Sequence, residues 1–288
     1  MGGPAAAMTR PIHRPAHVVH LLIAATLLAT ELACRKAPVA AGGTQRLSLS
    51  QLKIKLATAT GSTPPDLSQA DLQGLDLSGL DFKQAKLTKA QLARAKLVKA
   101  NLFTCDLTDA VLTDADLRGA NLDGTVLRRT NLQRANLEGA SLFATIVEQA
   151  DLSGANLART RIIGYLKNAK LVRANLSGAN IGADPGNQSM GVMRASFVGA
   201  DLSGADLSKA NLFKADFSYA NLGGARLSGA DLSNSDLVQT DFSRADLTGT
   251  KLNKADVNGA SFRGVVGRAQ IKGLDEARNR DKAMFDPP

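Results

Sequence analysis

The sequence predicts an all-β solenoid, and three observations carry that prediction. An apolar residue returns at every fifth position through most of the chain. A small residue, most often Ala, stands two places before it. Five matches neither the 3.6-residue turn of a helix nor the two-residue alternation of a strand. A short period held from Leu67 to Phe262 is the signature of a chain coiled upon itself.

The units justify themselves in order. The period runs from Leu67 to Ile162, slips by one residue for Leu166, Leu171, Leu176 and Ile181, and regains its first phase from Phe197 to Phe262. These are 38 units, all with Leu, Ile, Val or Phe at the centre, and 26 carry Ala two residues earlier. Each unit therefore points one large and one small side chain inward and gives three to water. Cys105 stands at an Ala position and reads as a buried small hydrophobe, not a nucleophile. Lys, Arg, Glu and Gln fall only at outward positions.

The residue before the central one is commonly Asp or Asn. Ala200-Asp201-Leu202-Ser203-Gly204 and Ala205-Asp206-Leu207-Ser208-Lys209 show the whole unit. This pattern resembles the pentapeptide repeat family, A-(D/N)-L-x-x, over about two-thirds of the chain. The resemblance implies a right-handed quadrilateral β-helix with four units per coil. It also implies end-to-end homodimers formed near the C-terminus.

Four units per coil stack residues twenty apart. One outer column then reads Asp76, Lys96, Asp116, Asn136, Asn156, and another Asp206, Arg226, Asp246. Interleaved charge relieves the repulsion of a pure acid ladder. Asp216, Asp236 and Asp256 form an all-acid exception, read as solvated carboxylates with a cation site as the alternative. Lys83, Lys86, Lys89, Arg94, Lys96 and Lys99 form a run without an acid, read as a solvated basic face. Phe103, Phe143 and Ile163 share one outward phase and are expected to form an apolar partner-contact stripe. Tyr165 and Tyr219 are expected at the surface or at a corner.

The chain divides accordingly. Residues 1–33 read as a signal peptide: Arg10 and Arg14 precede an apolar run from Val18 to Ala29, too short to span a membrane. Leu32-Ala33-Cys34 resembles the end of a bacterial lipobox, with Glu31 where Leu is usual, and makes Cys34 the lipidation candidate. The other exit is ordinary cleavage after Ala41. Residues 34–65 form a linker and lead-in segment, in which Leu47, Leu49, Leu52, Ile54 and Leu56 fit a strand or a helix equally. Residues 66–263 are the repeat body, with a loop at 182–194 marked by Asp184-Pro185-Gly186-Asn187. Residues 264–288 form the C-terminal cap. There Leu274, Ala277, Met284 and Phe285 follow a helical spacing, and a short capping helix is predicted.

Composition narrows the function. All three His (His13, His17, His20) lie in the first twenty residues, so the mature chain would hold none. That excludes Ser-His-Asp triads and His-ligated metals, and two Cys cannot build a four-Cys zinc site. No catalytic, cofactor-binding or metal residue is assigned, and no cofactor is expected. Residues 1–65 carry +6 of the net +9, and the repeat body only +2, so nucleic acid is not an expected partner. The reading is a non-enzymatic exported scaffold or protein-binding module, periplasmic or lipid-anchored, with an unidentified protein or envelope partner. It becomes cytoplasmic if residues 1–33 are not a signal. The alternative is a DNA mimic that protects a type II topoisomerase, a role the resemblance brings with it.

Overall fold

In the computed structural model the chain is described over residues 45–59, 63–183 and 194–287. They belong to one compact unit, Thr44–Pro288. The predicted signal peptide, Cys34 and most of the 182–194 loop lie outside the described residues.

The solenoid is held by parallel bridges. Lys86 bridges Asp66 and Asp106, and Asn101 bridges Asp81 and Asn121, each twenty residues away. Twenty residues are four five-residue sides, so each coil is four-sided. Taking one coil, side one passes through Leu87, side two through Leu92, side three through Leu97 and side four through Leu102. All four are fully buried. Aromatic rings continue the same columns: Phe197 stacks on Phe217 at 4.8 Å and Phe242 on Phe262 at 5.2 Å between centroids.

Five backbone N–H groups per repeat need acceptors, and residues 102–106 show where they go. Leu102 N–H donates to Asn121 O (2.8 Å) and Thr104 N–H to Asp123 O (2.9 Å), both on the next coil. Cys105 N–H closes the turn on Leu102 O (3.0 Å), and Asp106 N–H reaches back to Ala85 O (3.1 Å). Phe103 N–H has no carbonyl, and the Asn101 side chain accepts it at 3.2 Å. The Asp or Asn of the repeat is therefore a local acceptor that completes the turn. The residue after Phe103 takes a left-handed conformation, as its equivalents Lys89 (58°) and Arg94 (58°) do.

Thr replaces the inward Ala at several places without leaving a buried hydroxyl unpaired. Thr125, Thr130 and Thr250 each donate to a Leu carbonyl of the preceding coil at 2.8 Å. Cys105 is buried as expected, and desolvation pushes its thiol up to about 12.

The lead-in segment is strand, then helix. Strand β1 (Gln45–Arg46) pairs in parallel with β2 (Ala70–Asp71). Helix α1 (Leu49–Thr58) follows, started by a capping box: Ser48 Oγ accepts from Gln51 N–H, and Gln51 Oε1 accepts from Ser48 N–H. Leu47, Leu52 and Leu56 join the continuous core. The helix thereby covers the N-terminal end of the stack.

The C-terminal cap differs from the prediction. No α-helix forms over 264–287. The chain instead makes one more coil, in which Val266, Lys272, Arg278 and Met284 bridge Asp246, Lys251, Asp256 and Ser261. These bridging residues are six apart. The extra residue is taken up in the turns, two of which are short 3-10 segments, Arg268–Gln270 and Arg280–Lys282. Left-handed Gly267 (75°), Gly273 (68°) and Asn279 (57°) begin the turns, again six apart. Val265, Ile271, Ala277 and Ala283 pack on the core, and Phe285 stacks on Phe262 at 5.2 Å.

Candidate functional site

Before the last coil, the coils are regular except at one corner, between side four and side one. Strands β3 (Ser141–Ile146) and β4 (Arg161–Tyr165) run extended through it in adjacent coils, with a register shift between Phe143 and Thr145. The unit beginning at Arg161 has four residues. Across it the bridges are nineteen apart: Asp151 pairs with Lys170 and Arg161 with Asn180. Gly164 stands where Ala usually points inward, and a Cβ there would lie 2.4 Å from Thr145 O. One coil later the 182–194 segment leaves at the same corner. The interval jumps to 31, with Tyr165 on Ser196 and Asn180 on Asn211.

Side four carries the predicted apolar column. Phe103 is 46% exposed. Phe143 is half-buried, with the Arg161 guanidinium 4.6 Å above its ring. Ile163, however, is 2% exposed and does not belong to an open stripe. Four residues span a side that normally takes five, so β4 replaces the turn and Ile163 lies beneath the surface. Phe213 holds the same place on side four three units after the insertion, half-buried beside Lys214 Nζ (5.3 Å). Counting in twenties from Ile163 passes over Phe213, because the short unit and the insertion both break the count. Counting sides instead of residues finds it. Tyr165 and Tyr219 are exposed.

The outer charges are paired between coils. Arg129 grips Asp109 through two hydrogen bonds (2.7 and 2.8 Å), and Arg134 grips Asp114 likewise. These contacts hold both carboxyls below the usual carboxylate range. In the basic run Lys83 pairs within its own coil with Asp81 at 2.8 Å, and Lys96, whose backbone bridges Asp76 and Asp116, helps by its charge to lower both carboxyls. The all-acid column is filled by arginine. Arg194 pairs with Asp216 (3.3 Å) and Asp236, and Arg278 reaches Asp236 at 3.4 Å. Asn279 donates to Asp256 at 2.8 Å. Guanidinium groups thus occupy the ground considered for a cation. Beside this column lies an open cleft of about 560 Å³, lined by Arg194, Lys214, Asn234, Lys254 and Arg278.

Among the described residues no helix is long and apolar enough to cross a membrane. The family pattern described as pentapeptide repeats matches residues 66–102, 105–142, 135–164, 193–229 and 225–264. Among solved structures, the chain is similar to HetL from the cyanobacterium Nostoc, a pentapeptide repeat protein involved in heterocyst differentiation regulation. The two are 27% identical with a TM-score of 0.63, over 83% of this chain and 94% of HetL. The plasmid-mediated fluoroquinolone resistance protein QnrB1 is 16% identical, with a TM-score of 0.34 over 74% of this chain and 90% of its own. A pentapeptide repeat protein of the Arabidopsis thaliana thylakoid lumen is 34% identical over 36% of this chain and 63% of its own, with a TM-score of 0.22. No curated protein sequence matches.

Proposed function

The chain belongs to the pentapeptide repeat family, and from that premise we propose that it is a non-enzymatic protein-binding scaffold. Its coils are taken to wind right-handed, and its rod to be exported and held at a bacterial envelope, through a lipid on Cys34 or as a soluble mature chain. The final coil is the proposed seat of a homodimer, since Val266 and Met284 there remain 58% and 40% exposed.

One observation carries the binding reading. Before the last coil, irregularity is confined to one corner of otherwise uniform coils, beside exposed Phe103 and half-exposed Phe213. A repeat whose polar groups satisfy one another gains no stability from a short unit or an insertion. A docking surface accounts for both. The acidic columns broken by Arg, Lys and Asn support a scaffold over a duplex mimic, which needs continuous negative faces.

A photo-crosslinking residue placed at Phe103 or Phe213 in native cells tests the surface. A crosslinked partner is expected from both and from neither Gln91 nor Asp241, which lie on side two. Equal crosslinking from all four positions would sink the reading. Export is tested separately by the intact mass of the native protein. A start at Cys34 with acyl mass, or at Gly42, agrees with it, and a cytoplasmic chain retaining residues 8–41 removes it.

A further inference from the structure

We propose that the cleft between side four and side one of the C-terminal coils binds a ligand bearing two or more phosphate groups. The argument starts from the turn position. Lys214, Asn234 and Lys254 all sit there with left-handed backbones (59° each), one above another on successive coils. At a coil spacing of about 4.8 Å, Lys214 and Lys254 stand roughly 10 Å apart with a neutral amide between them.

This stack departs from two others. There the cations at this position meet an acid of the adjoining coil, as Lys89, Asp109 and Arg129 do, and Arg94, Asp114 and Arg134. Asn234 takes the acid's place here. Among the described residues, neither Lys214 nor Lys254 has a carboxylate within ion-pair distance. Other turn cations are separated by glycine, as Lys209 is from its neighbours by Gly178 and Gly229. This stack places two unrelieved amines along one wall of a cleft.

Two arginines complete the wall and are already fixed in place. Arg194 is held by Asp216 and Asp236. Arg278 is held by Asp236 and by the Lys254 carbonyl, to which its Nε donates at 3.2 Å. A guanidinium has five donors, so each keeps some for a ligand. Asp216, Asp236 and Asp256 form the adjoining wall, and Asn279 engages the last. The acids orient the arginines and leave the lysine amines as the uncompensated charge. A single carboxylate spans one coil step. Phosphate groups linked in series span two, and their oxygens accept from cations on different coils. The cleft, at about 560 Å³, has room for such a ligand.

The source of the phosphates is either a soluble polyphosphorylated molecule or a phospholipid surface. Calorimetric titration of the full chain separates them, using sodium tripolyphosphate, and sedimentation with phosphatidylglycerol or phosphatidylcholine vesicles. Tripolyphosphate binding that weakens with salt, and weakens at least about tenfold in Lys214→Gln/Lys254→Gln, supports a soluble ligand. Binding to phosphatidylglycerol vesicles alone, lost in the same variant, supports a phospholipid surface, whose neighbouring headgroups present the phosphates. The Lys99→Gln/Lys209→Gln variant makes the same charge change elsewhere and is expected to bind as the parent does. Asn234→Asp supplies the acid that Asp109 and Asp114 supply in two other columns and is expected to abolish binding while the thermal transition stays in place. Failure of both probes to bind, or equal loss in the two lysine double variants, overturns the proposal.

Discussion

Between Asp66 and Asn156 every bridge repeats twenty residues on, and in the last coil the interval widens. Lys251 meets Lys272, Asp256 meets Arg278 and Ser261 meets Met284, at intervals of 21, 22 and 23. Both regions build the same four-sided coil. The central coils bury each large inward residue completely, whereas Ile271, Leu274 and Phe285 of the last coil are only partly buried. Five residues is therefore not a length that each side of a coil requires. It is the shortest length here that regularly closes a corner. A coil with a neighbour on one side only can take a longer turn, because parallel pairing to the coil beneath still directs it.

The largest expected effect breaks that comparison at its core. Leu112 is fully buried, with coils above and below. Leu112→Ala is expected to cost about 2–5 kcal/mol, since rigid neighbours cannot close the cavity. Ile271→Ala in the final coil is expected to cost below about 1 kcal/mol, because less apolar area is lost from a site partly open to water. Urea unfolding of the two variants measures both. Equal costs would mean that the last coil is packed as firmly as the middle.

A smaller effect is expected where the regular coils give way to the irregular corner. Gly164→Ala would set a Cβ against the Thr145 backbone, 2.4 Å from its oxygen and 3.1 Å from its nitrogen. Neither atom can move without disturbing the β3–β4 pairing, so a loss of about 1–3 kcal/mol is expected. Gly139→Ala meets nothing within 4 Å and carries only the left-handed strain of its 67° φ, about 1 kcal/mol. If thermal melting shows the two equally mild, the short unit is not a rigid feature of the corner.

Most of this architecture was legible in the sequence, because the repeat states its own packing rule. Leu and Ala mark the inward positions, and counting them located the coils, Cys105 and the charge columns. Three readings needed more. The apolar spacing of the lead-in segment fits strand and helix equally, and the signal that separates them is the capping box of Ser48 and Gln51, three residues apart. The C-terminal segment was misread as a helix because Leu274, Ala277 and Met284 suit one. The competing signal was Gly267, Gly273 and Asn279 at six-residue spacing, each at a left-handed turn. Ile163 was placed on the surface because a slip of one residue looks harmless in sequence. In the structure the missing residue is a missing corner. The arginines on Asp216 and Asp236 could not be foreseen, since they arrive from the end of the insertion and from a coil of different period.

The smallest effect tests what the twenty-residue interval does for surface charge. Arg129 reaches Asp109, and Arg134 reaches Asp114, only because each lies one regular coil away. The guanidinium hydrogen bond lowers each carboxyl most; desolvation opposes it, and the cationic charges, including Lys89 and Arg94, add to the lowering. A carboxyl whose folded value lies below its unfolded one stabilises the fold above the unfolded value, near 3.9. That contribution disappears as pH falls through the folded value. Unfolding midpoints in urea are therefore expected to drop on acidification below about pH 4, and to drop less in Arg129→Met/Arg134→Met. Both pairs are open to solvent, so salt should narrow the gap between parent and variant. An unchanged acid limb in the variant would mean that the columns only record where charges stack, while the buried Leu and Ala alone hold the coils together.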